Sequence, residues 1–147
     1  MDIATEAIDR IHTTASSHNH AMVVEVMGHR AAGWIGLYAG VASGNDVILI
    51  PEIPFSFEKV CNALESRSIE NKDSTIIVVA EGAISSDEMN SLKEEIDQKR
   101  KFRSIGQRVA NKLEKLTGME SRLTVLGHVQ RGGSTLKFLG TGFLQLT

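Results

Sequence analysis

The sequence predicts an α/β fold: a three-layer domain whose parallel sheet is covered by helices on both faces. Two observations predict it. Four short runs, at residues 21–27, 46–50, 74–80 and 122–129, are β-branched and almost continuously apolar instead of alternating, the pattern of strands buried on both sides. Helical patterns fall between them, giving the order α-β-α-β-α-β-α-β of a doubly wound layer. A chain of 147 residues with 41% hydrophobic and 23% charged residues is long enough and apolar enough to bury one core.

The elements follow in order. TEAIDRIHTTA reads as a first helix and AMVVEVM as the first strand, with Glu25 inside it expected to be a paired structural carboxylate. AAGWIGLYAGVAS is a helix rich in small residues that permit close packing on a sheet; Trp34 and Tyr38, one turn apart, read as core. After DVILI, two prolines bracket the exit in PEIPF. SFEKVCNALESR opens with Ser56 as an expected N-cap and Glu58 in the first turn, where the helix dipole favours negative charge. STIIVVA is the third strand. From 87 to 116 a long helical pattern begins with a solvated charge run, LKEEIDQKRK, and continues with Ile105, Val109, Leu113 and Leu116 on one apolar face, ended by Gly118 as a left-handed cap. RLTVLGHV is the last strand.

Composition excludes several functions. The net charge is −2, and the basic residues form no long run, which argues against a nucleic-acid footprint; aromatics at 5% leave little for stacking on single strands. The single Cys61 has no disulfide partner and reads as a small core residue. The N-terminal stretch lacks a signal-peptide pattern and no run is long enough to span a bilayer, so a reduced cytoplasmic setting is expected. His18 and His20 stand without a partner at zinc-like spacing, so no metal site is expected; a G-x-S-x-G elbow and a Walker A loop are absent from the sequence.

The polar residues stand at the strand exits, where open parallel sheets bind ligands. These exits read Met27-Gly28-His29-Arg30, Pro51-Glu52, Glu81-Gly82 and Gly127-His128-Val129-Gln130-Arg131-Gly132-Gly133. Arg30, Arg122 and Arg131 offer forks for phosphate oxygens, and glycine turns allow backbone N–H groups to approach closely. Glu81 is a poor neighbour for phosphate but a good acceptor for sugar hydroxyls, and His128 can donate to either. Phosphate at one end and hydroxyls at the other describe a sugar phosphate, with the cationic and acidic groups expected to converge along one rim.

VVEVMG followed by an Arg and a Gly, then ASGNDVILIPE, IIVVAEGA and TVLGHVQRGG, together resemble the ATP- or pyrophosphate-dependent 6-phosphofructokinases, in the right order from about Thr5 to Ser134. The resemblance implies the second, fructose 6-phosphate domain of that family over residues 1–134, with a divergent tail at 135–147. It places the sugar ring near Met27, Gly28 and Glu81, the 6-phosphate near Arg122, His128 and Arg131, and an effector near Glu52. Arg122 would be lent by a neighbouring subunit, so a homo-oligomer is implied. Arg30 would assist the transferring phosphoryl group, since His29 stands where the family's arginine is expected. His20 replaces an arginine that reaches the sugar phosphate across the interface, which predicts weaker phosphate binding. Mg2+ and ATP or pyrophosphate would be bound mainly by a donor domain not matched here, and none by this chain alone. The implied function is a share in phosphorylating fructose 6-phosphate to fructose 1,6-bisphosphate in glycolysis, without activity in isolation. The alternative is a non-catalytic sugar-phosphate-binding or regulatory module.

Overall fold

The computed structural model describes residues 2–15, 20–28, 33–69, 74–89 and 104–132. His29, Arg30, the 92–101 charge run and the 135–147 tail lie outside the described residues. The elements are α1 (Asp2–Ala15), β1 (His20–Val26), α2 (Trp34–Ala42), β2 (Val47–Leu49), α3 (Phe57–Ile69), β3 (Ser74–Ala80), α4 (Ser86–Met89), α5 (Ile105–Thr117) and β4 (Ser121–Val125), followed by a 3-10 turn at Gly127–Arg131. The four strands form one parallel sheet in the order β2-β3-β1-β4.

Alternation along the central strands explains the layers. On one face Ala4 and Ile8 of α1 and Ala39 of α2 pack on Val24, Val26, Ile76 and Val78. On the other face Val60 and Leu64 of α3 and Ile105, Val109 and Leu113 of α5 pack on Val23, Ile77 and Val79. Both sides of β1 and β3 are therefore apolar, which is why their sequences do not alternate. Each fully buried Val or Ile contributes on the order of 1.5–3 kcal/mol.

Three expectations are corrected. Trp34 and Tyr38 are 60% and 56% exposed and stack on each other with ring centroids 5.9 Å apart, instead of entering the core. The sheet side of α2 belongs to Gly36, Ala39 and Gly40. A Cβ at Gly40 would stand 2.6 Å from Ile48 Cδ1, so the helix lies too close to the sheet to admit an aromatic ring. Leu116 is likewise exposed at the last turn of α5, beyond the reach of the sheet. The fourth strand ends at Val125, not at residue 129. Gly127, at φ +51°, turns the chain out of the extended run, and the tight 3-10 turn follows.

Other expectations are met. Gly118, at φ +70°, caps α5 with its N–H donating to the Glu114 carbonyl. Cys61 is partly buried against the core, and burial, followed by nearby Glu65, pushes its thiol up despite the opposing pull of Lys112. Among the described residues no helix is long and apolar enough to cross a membrane.

Candidate functional site

The site is set by where the parallel ladders stop. β1 and β3 run side by side to the pair Val26 and Ala80, and β1 and β4 to the pair Glu25 and Val125. The chain from β1 leads to α2 on one face of the sheet, and the chain from β3 leads to α5 on the other. Such a divergence opens a crevice outside the carboxyl ends of the strands. Here it is a cleft of about 80 Å³ lined by Glu25, Val26 and Met27 from β1, Glu81 from β3, and Val125, Gly127 and His128 from β4 and its turn.

Backbone bonds hold the rim in place. Glu81 N–H donates to the Val26 carbonyl at 2.9 Å, Gly82 N–H to the Gly28 carbonyl at 2.6 Å, and Leu126 N–H to the Glu25 carbonyl at 3.0 Å. Beneath them Glu25 is 6% exposed, and its carboxylate accepts the Gly106 N–H at the start of α5 at 2.7 Å. A negative group at a helix N-terminus is favoured by the dipole, so Glu25 is paired structurally while also flooring the cleft. Arg108 on α5 pairs with Glu88 on α4. Burial lowers the Arg108 guanidinium from its ordinary value, and the field of Glu25 opposes that shift.

Above the floor the surface is polar and accessible. Glu81, His128 and Arg131 are exposed. In a 3-10 turn residues three apart eclipse, so His128 and Arg131 share one face. A carboxylate together with an imidazole and a guanidinium can accept from hydroxyls and donate to phosphate. A larger hollow of about 370 Å³ follows the edge strand β2, lined by Leu37, Ile48, Ile50, Ile53, Phe55 and others, with Lys59 as its charged side chain. Its other polar side chains are Ser56 and Ser86, whereas the smaller cleft brings two carboxylates and an imidazole together. Among the described residues no three His, Cys, Asp or Glu side chains come together as a metal site, and no magnesium step is assigned to them.

The phosphofructokinase family model matches residues 1–138. The chain belongs to the phosphofructokinase family. It is 53% identical over 137 residues to an ATP-dependent 6-phosphofructokinase of Spirochaeta thermophila, covering 91% of this chain and 37% of that protein. It is 52% identical over 141 residues to a pyrophosphate–fructose 6-phosphate 1-phosphotransferase of Streptomyces coelicolor, covering 94% and 41%. The structure of phosphofructokinase from Saccharomyces cerevisiae matches 90% of this chain and 16% of its own, with a TM-score of 0.74 and 38% identity. The chain thus spans about two fifths of the length of these curated relatives.

Of the residues expected at a phosphofructokinase sugar-phosphate site, Met27, Glu81 and His128 line the cleft, and Gly28 and Arg131 follow the carboxyl ends of β1 and β4. His20 and Arg122 do neither. His20 opens β1, roughly 20 Å along the strand from its carboxyl end, and Arg122 stands beside Met22 in the first half of β4, roughly 10 Å from the end of that strand. At the amino edge Arg122 pairs with Glu120 at 3.0 Å, and His20 Nδ1 is 3.6 Å from the other Glu120 oxygen. The single rim expected to hold all four groups therefore holds Glu81, His128 and Arg131 but not Arg122. Reading apolar runs locates a strand, but its register decides at which end a given arginine stands.

Glu52 is exposed, and its carboxylate accepts the Gly33 N–H at the start of α2 at 2.9 Å. A Cβ at Gly33 would stand 2.4 Å from Glu52 Oε2, so glycine is what lets the carboxylate reach the helix end. Sequence reasoning missed Gln130 as a buried residue of the site. No local signal marked it, because its contact with Met27 spans 103 positions and the turn that carries it reads as strand.

Proposed function

We propose that this chain provides the fructose 6-phosphate side of a 6-phosphofructokinase site, in a protein that passes a phosphoryl group to the sugar. The observation that carries the reading is the carboxyl-edge cleft, with Glu81 facing the His128 and Arg131 turn across the end of β1. Glu81 would accept hydroxyls of the sugar, and His128 and Arg131 would hold the 6-phosphate. Met27 and Gly28 would form the wall between them. Arg30 would assist the transferring phosphoryl group, where positive charge stabilises developing negative oxygens, and His29 would contact the substrate.

The cleft is smaller than the ~300–1,000 Å³ of ordinary ligand sites, which supports a site completed by further protein. His20 and Arg122, already gathered at the amino edge, would serve the site of another copy in a homo-oligomer. The phosphoryl donor, ATP or pyrophosphate, and Mg2+ would be held outside the residues matched here. Glu52 would meet an effector only by giving up or sharing its bond to Gly33. A glycolytic role in the cytoplasm goes with this reading.

Calorimetric titration of the folded chain with fructose 6-phosphate tests it. Saturable binding is expected, and Arg131→Ala should weaken it at least about tenfold, because a charge-assisted fork to phosphate is lost. No binding, or unchanged affinity in Arg131→Ala, overturns the assignment. Turnover by the chain alone in a coupled assay would contradict the placement of the donor elsewhere.

A further inference from the structure

We propose that Gln130 is a positioning residue of this site, locking the His128–Arg131 turn to the end of β1. The inference rests on the sugar-phosphate reading above. Gln130 is 9% exposed, whereas His128, Val129 and Arg131 on the same turn are exposed. Its amide is used at both ends. Met27 N–H donates to Gln130 Oε1 at 3.2 Å, and Gln130 Nε2 donates to the Gly127 carbonyl at 2.9 Å. Chemistry fixes which end is which, because a backbone N–H needs an acceptor and a carbonyl needs a donor.

The first bond joins residues 103 positions apart, and so ties the exit of β1 to the exit of β4. The second closes the turn on itself. With three residues per turn, burying Gln130 sets the rotation of the turn about its axis, and that rotation decides where the shared face of His128 and Arg131 points. The start and end of the turn allow little slack. Gly127 adopts φ +51°, Gly132 N–H donates to the Val129 carbonyl at 3.0 Å, and a Cβ at Gly132 would meet that same carbonyl at 3.0 Å.

No other side chain of similar size does both jobs. A glutamate keeps the acceptor for Met27 but, when ionised, turns a second oxygen toward the Gly127 carbonyl. A methionine leaves the Met27 N–H without its partner, and an asparagine is shorter by one methylene.

A double-mutant cycle on the 147-residue chain tests the proposal, with fructose 6-phosphate affinity followed by NMR and thermal unfolding measured in parallel. Gln130→Met and Gln130→Glu should each weaken binding by the folded chain about tenfold, the scale of a misplaced contact group. In the Arg131→Ala background the same changes should cost clearly less, because only the share that reaches the ligand through His128 remains. Lower thermal stability with unchanged affinity, or losses that simply add, would overturn the proposal. A measurement free of substitutions stands beside this: in the unmutated chain the Gln130 side-chain amide protons should shift in step with the His128 ring on titration. If they stay still while the ligand binds, the proposal fails even should both Gln130 variants unfold. If the unmutated chain does not bind fructose 6-phosphate, the sugar-phosphate reading fails first and this inference with it.

Discussion

Glu81 lines the small cleft after β3, Arg131 ends the turn that follows β4, and in the proposed reading their chemistry divides the ligand between them. Glu81→Gln should weaken fructose 6-phosphate binding about tenfold while leaving inorganic phosphate binding unchanged or slightly improved, since a like charge is removed. Arg131→Ala should weaken both. Parallel titrations with the two ligands check this, and equal effects on both in Glu81→Gln would contradict the division. Below them, Gly106 has no room for a side chain: its Cβ would stand 2.7 Å from Glu25 Oε2 and 2.7 Å from Leu123 Cδ1. Gly106→Ala is expected to destabilise the fold by about 1–3 kcal/mol in denaturant unfolding, the ordinary cost of overpacking a well-filled site. Residues of this kind were only half legible in the sequence. Glu81 and His128 announced themselves as ionisable groups beside glycines at strand exits. Gln130 and Gly106 did not, because their roles come from contacts across 103 and 81 positions that no local pattern carries.

The elements were legible where one physical rule decided them. β1 and β3 are buried on both faces, so apolar continuity alone located them, to within a residue for β1. α5 carries Ile105, Val109 and Leu113 on a single stripe and closes on a left-handed glycine. The failures came where two rules competed. LGHV is as β-prone as the run before it, but Gly127 can take a positive φ and the ladder to β1 ends at Val125, so the turn wins. In α2 the aromatic spacing suggested a core face, while the glycines that permit close approach to the sheet decided it the other way. The start of α5 yields a direct prediction. Ser104 Oγ accepts the Gln107 N–H at 3.2 Å as its N-cap, next to the Gly106 N–H that Glu25 takes. Ser104→Ala should cost about 1 kcal/mol of stability, read from the midpoint of urea unfolding. A shift of less than a few tenths would mean that the cap carries no weight and that Glu25 alone secures the helix start.

At the scale of the molecule, the sheet has two chemically distinct ends. The carboxyl edge presents Met27, Glu81, His128 and Arg131, and the amino edge presents His20, Glu120 and Arg122. The pairing of Arg122 with Glu120 is exposed and of small energetic value, so Arg122 can be removed or redirected at little cost to the fold. If the amino edge serves a second copy, Arg122→Ala should leave the affinity of dilute chain for fructose 6-phosphate unchanged and lower it only at concentrations where copies associate. Titrations at several protein concentrations, with sedimentation to follow association, check that outcome. An equal loss at every concentration would place Arg122 in its own chain's site and contradict the shared-site reading.

The most direct test of the central claim is a map of chemical-shift changes on adding fructose 6-phosphate to the isotopically labelled chain. The account predicts changes that saturate together and concentrate at Met27, Gly28, Glu81, His128 and Arg131. Changes confined to the hollow beside β2, or none at all, would contradict it.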